Sequence, residues 1–66
     1  MMLIKKYTLY ERGTGMTHTI EITYAFDRYE VRHNGEFYAT AENMAQAGFE
    51  AADIVIYNNL SNIRPL

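Results

Sequence analysis

Tyr29-Glu30-Val31-Arg32-His33-Asn34-Gly35-Glu36-Phe37-Tyr38-Ala39-Thr40 reads as two short strands about a turn pair, and the chain after it, Ala41 to about Ile63, reads as one amphipathic helix. Asn-Gly between two alternating runs is the strongest short-range hairpin signal, because both turn residues must tolerate a positive φ. The pair leaves the register open. A two-residue Asn34-Gly35 loop would set His33 against Glu36 and send Phe37 to the face carrying Arg28, Glu30 and Arg32. A three-residue loop, His33-Asn34-Gly35, with Gly35 left-handed as a bulge, would pair Arg32 with Glu36 and return Phe37 and Ala39 to the inward face. The second register agrees with the apolar pattern and is the one expected. It puts Arg28, Glu30, Arg32, Glu36, Tyr38 and Thr40 outward as alternating charges and polar groups.

Working outward, Thr17 to Phe26 alternates cleanly, with His18, Ile20, Ile22, Tyr24 and Phe26 on one parity. A turn at Asp27-Arg28 would carry that inward face on to Tyr29, Val31 and His33. Leu3 to Arg12 has strand composition and is closed by Gly13-Thr14-Gly15, which joins two strands and so reads as a turn, not a phosphate loop at a helix start. Downstream, Thr40 is the expected helix cap, with Glu42 in the first turn. Ala41, Met44, Ala45, Gly48, Phe49, Ala52, Val55, Ile56, Leu60 and Ile63 recur at spacings of three and four, opposite Glu42, Gln46, Glu50 and Asp53. On this phase Phe49 is a core residue whose truncation costs ~3–5 kcal/mol. Arg64-Pro65 is the expected stop. The β-branched run Asp53 to Tyr57 admits one alternative, a short helix over Ala41 to Ala52 followed by a fifth strand. The expected fold is α+β, a four-stranded antiparallel meander packed by one C-terminal helix (ββββα), forming a single small domain over residues 1–66.

Size then constrains function. A chain of 66 residues buries only about 60% of its unfolded surface. With 0 Cys, disulfides and zinc-thiolate sites are excluded as reinforcement, which leaves self-association, and a homodimer is expected. The amino terminus lacks the apolar run of a signal peptide, and the longest apolar stretch, Ile54 to Tyr57, is far short of the ~20 residues of a membrane span, so a cytoplasmic protein is expected. A formal charge of -2 neither attracts nucleic acid strongly nor imitates it.

Candidate chemistry is sparse. His18 and His33, with a carboxylate such as Glu21, have the donor types for a divalent metal, but their separation matches no compact ligand motif, and both are expected to be solvated. Glu42, Glu50 and Asp53 lie along a helix surface and do not converge as a catalytic pair. No cofactor, metal or catalytic residue is assigned. The remaining signal is aromatic. Tyr10, Arg28, Arg32, Tyr38, Ile54 and Tyr57 form the candidate interaction surface, suited to Tyr- and Arg-rich protein contacts. The expected function is a non-catalytic protein-interaction module, a homodimer acting as an accessory, adaptor or inhibitor protein with an unidentified protein partner. The alternative is a weak single-stranded nucleic-acid binder stacking bases on Lys6, Tyr10, Arg28, Arg32 and Tyr38, against which Glu21, Glu30 and Glu36 would cancel the attracting field.

Overall fold

Four consecutive strands pair antiparallel in chain order: β1 (Met2–Glu11), β2 (Thr17–Ala25), β3 (Arg28–His33) and β4 (Glu36–Ala41). One helix, α1 (Met44–Tyr57), follows, and then a two-residue strand, β5 (Leu60–Ser61), which pairs with the end of β1 through Tyr10↔Ser61 and Glu11↔Leu60. This computed structural model describes residues 1–64. The sheet order is β4-β3-β2-β1-β5, so α1 carries the chain from one sheet edge to the other. The meander with a helix after it is the architecture that the patterning calls for. The β-branched Asp53 to Tyr57 run is helical, and the fifth strand lies after it.

Two turns differ from expectation in an instructive way. Phe26 and Asp27, both at positive φ, make the β2–β3 turn in place of Asp27-Arg28, and Tyr24 pairs with Tyr29. The register moves by two residues, which preserves parity, so Ile20 and Ile22 still share a face with Val31 and His33. Phe26 itself is left exposed in the turn. At the β3–β4 turn the two-residue loop forms after all, with Asn34 at φ 53° and Gly35 at φ 82°, pairing His33 with Glu36 and Arg32 with Phe37. The conflict it creates is resolved inside the strand by a bulge: the next pair is Val31↔Ala39, leaving Tyr38 as the extra residue. Ala39 and Ala41 thus return to the core side, while Phe37 shares the outer face with Arg32 and is exposed.

The helix begins later and ends earlier than expected. Its cap is Asn43, not Thr40, which belongs to β4; the Asn43 Oδ1 accepts the Gln46 N–H at 2.9 Å. Gln46 Oε1 in turn accepts the Glu42 N–H at 2.9 Å, a reciprocal arrangement close to a capping box, with Glu42 outside the helix. Asn43→Ala is expected to cost ~1 kcal/mol in denaturant unfolding, whereas Thr40→Ala should not unpick the cap. Asn58 and Asn59 end the helix: the Asn58 N–H donates to the Ile54 carbonyl at 3.1 Å, and Asn59 takes the left-handed conformation at φ 53°. Arg64 is therefore remote from the helix terminus, Ile63 is exposed, and Pro65 lies outside the described residues.

Helix phase is the main correction. Ala47, Ala51 and Ile54 face the sheet, joining Ile20, Ile22, Val31, Ala41 and Leu60 in the core. Spacings of four and three define this stripe as well as the expected one, because α1 is apolar on two sides. The core is thin: Ile20, Ile22, Val31 and Ile54 are its largest fully buried side chains.

Candidate interaction surface

Helix α1 packs chiefly on β3 and β4. Small side chains at Ala47 and Ala51 let it approach the sheet there, while over β1 and β2 it stands clear and leaves an open groove of about 520 Å³. Tyr7 and Leu9 form the β1 side, Ile20 and Ile22 the floor, and Met44 and Val55 part of the helical wall. Gly48 also lines this wall, and a Cβ added there would meet nothing within 4 Å. The exposed face beside the groove carries Ala45, Phe49, Ala52 and Ile56, with Phe49 72% and Ile56 71% exposed. These are among the residues that periodicity assigned to the core; of the same expected stripe, Ala41 and Leu60 are buried there and Met44 and Val55 pack against it. The sharing of one face by Ala45, Phe49, Ala52 and Ile56 follows from spacings of three and four, and it places a large apolar ridge against an apolar slot.

The residues proposed from sequence separate into different regions. Ile54 is 0% exposed and belongs to the core, so it contributes nothing to an interaction surface. Tyr57, in the last helical turn, is 80% exposed. Tyr38, turned by the bulge, senses the helix: its phenol is held above the usual range, by partial burial first and then by the Asp53 and Glu50 carboxylates and Tyr57. It does not stand with Arg28 and Arg32 on the outer face. Tyr10 is half-buried, between Thr17 and Ser61 in the strand register. Arg28 is exposed, whereas the Arg32 Nη2 lies 3.2 Å from Glu30 Oε1. Across the sheet Lys6, Glu21 and Arg32 are direct register neighbours, so the outer face alternates in sign and lacks the unbroken basic track that a nucleic-acid backbone favours.

The histidines are not both solvated: His18 is buried and His33 half-buried. The β2–β3 register brings His18 and His33 to the same face, and His18 is only 6% exposed. His18 Nε2 lies 3.0 Å from Glu11 Oε2, and His18 Nδ1 lies 2.8 Å from His33 Nε2. The rings are 15° from coplanar with centroids 5.1 Å apart, the separation left when two imidazoles meet nitrogen to nitrogen along one line. The facing lone-pair directions point at each other, as in a hydrogen bond, and not toward a common third point. Glu21, the carboxylate considered with them, sits on the opposite face beside Lys6 and Arg32. Among the described residues no group of three or more His, Cys, Asp or Glu is placed to hold a metal. Glu11 was not singled out in the sequence; its approach needs the β1–β2 register, which the turn composition alone does not set.

Among the described residues no helix is long and apolar enough to cross a membrane. Compared with known proteins, the chain matches no family model, no curated protein and no solved structure.

Proposed function

We propose that this chain is a non-catalytic protein-interaction module that works as a homodimer, the apolar helix face of each copy seating against the groove of the other. The observation that carries this reading is the ridge of Phe49 and Ile56 beside the open groove between α1 and β1. A symmetric dimer needs one self-complementary patch, and a ridge next to a slot is such a patch. The charge balance is compatible with a second copy as the occupant: α1 carries Glu50 and Asp53 and no cation, and Lys5 lines the β1 side of the groove. The thin core supports it. The accessible surface of 4662 Å² exceeds the ~4300 Å² typical of a monomer of this mass, so covering more of it would add the burial that a domain of this size lacks. The outer sheet face and the β4 edge then remain open for a further protein, consistent with an accessory, adaptor or inhibitor role.

The location is tested by following backbone amide shifts of isotope-labelled protein through a dilution series. Changes concentrated at Tyr7, Leu9, Gly48, Phe49, Ala52 and Ile56 are expected. Changes confined to the outer face around Glu21 and Arg32, or to the β4 edge, would place the contact elsewhere and overturn this interface.

A further inference from the structure

We infer that Glu11, His18 and His33 form a two-stage proton latch at the β3–β4 turn, which stays closed with one added proton and opens with two. The tautomers follow from the hydrogen bonds. Asn34 Oδ1 accepts the Thr19 N–H at 2.9 Å, which fixes Asn34 Nδ2 as a donor. Glu11, a carboxylate, can only accept, so the proton of neutral His18 is on Nε2 and its Nδ1 is bare. That bare nitrogen accepts the His33 Nε2–H at 2.8 Å, with the Asn34 Nδ2–H farther off at 3.4 Å. Neutral His33 therefore keeps its Nδ1 free to take a proton.

The first proton, from water, can bind at His33 Nδ1, or its charge can pass along the row with a shift of the shared proton to His18. Either way the Glu11–His18 and His18–His33 bonds survive, and one positive charge lies between Glu11 on β1 and Glu36 on β4, the carboxylates that face the pair. The helix supplies none of these hydrogen bonds. A second proton leaves both imidazoles cationic, with His18 Nδ1–H aimed at His33 Nε2–H and no acceptor between them. The contact must then break. Half-exposed His33 is the partner able to swing to water, because His18 is buried against Glu11.

Burial first, and then the charge of His18, lower the His33 pKa below its usual value, while Glu36 opposes them. A histidine depressed in the folded state contributes stability that is fully present above its unfolded pKa and is lost as the pH falls through the folded one. Acid below the usual imidazole range should therefore loosen the turn. This inference is independent of the dimer.

The experiment is a nitrogen-resolved imidazole titration of the full chain from pH 7.5 to 5, with melting curves alongside. Both rings are expected as Nε2–H tautomers at pH 7.5, followed by two separate protonations, the second accompanied by shifts in the His33 to Glu36 amides. The melting temperature should fall between pH 7 and 5. In His33→Gln, whose amide can still donate to His18, that fall should largely disappear. An Nδ1–H tautomer of His18 at pH 7.5, or doubly protonated rings still held together, would overturn the latch. So would an equal fall in folded His33→Gln; should that variant not fold, the wild-type tautomers and titration still decide.

Discussion

Ile54→Ala should lower the unfolding free energy by ~3–4 kcal/mol, because it removes a fully buried side chain that joins the helix to the sheet and leaves a cavity in a core with few large residues. A domain of this length has ~3–10 kcal/mol in total, so a large part of its stability, or all of it, goes with one side chain. The expected result in urea is a much lower midpoint, or a chain unfolded without denaturant. Phe49→Ala provides the contrast. The larger residue is 72% exposed, so in protein dilute enough to be monomeric its truncation should change stability by no more than ~0.5 kcal/mol. A midpoint insensitive to Ile54→Ala, or a loss of ~3–5 kcal/mol on Phe49→Ala in the monomer, would show that the helix packs through its other face.

The second large effect concerns association. Phe49→Glu with Ile56→Glu should weaken self-association at least ~100-fold while leaving the fold intact. Both positions are open in the single chain, so the carboxylates are solvated there and cost little. In the dimer the same groups would be desolvated against the apolar side chains of Met44, Val55 and Leu9. Central hot-spot residues are worth ~2 kcal/mol or more each, and every ~1.4 kcal/mol is tenfold in affinity. Sedimentation equilibrium gives the affinity, and circular dichroism checks the helix. Unaltered association in the folded variant would exclude this face as the contact.

How much of this was written in the chain can be argued from individual residues. The strands were legible because parity survives a two-residue slip: Ile20, Ile22 and Val31 face the core under either register of the β2–β3 hairpin. The β3–β4 turn was less so. Asn34-Gly35 pointed to the mirror-image turn that forms, but a bulge at Tyr38 was invisible to a pattern that assumed strict alternation up to Thr40. The helix cap was present as Asn43-x-x-Gln46 and was masked by the more familiar Thr40 signal. Helix phase was ambiguous for a physical reason. Periodicity finds apolar residues and does not say which apolar side meets the sheet; the stripe of larger residues at Phe49 and Ile56 outweighed the small-residue stripe at Ala47 and Ala51, whose value is close approach. The imidazole row needed three strands in register and could not be read from spacing.

Absolute molar mass by light scattering across a dilution series, for the wild-type chain beside the Phe49→Glu, Ile56→Glu variant, tests the homodimer most directly. The wild type should show twice the chain mass of 7.7 kDa and fall toward one on dilution, while the folded variant stays at 7.7 kDa throughout. A wild-type mass of 7.7 kDa at every concentration up to the millimolar range would contradict it.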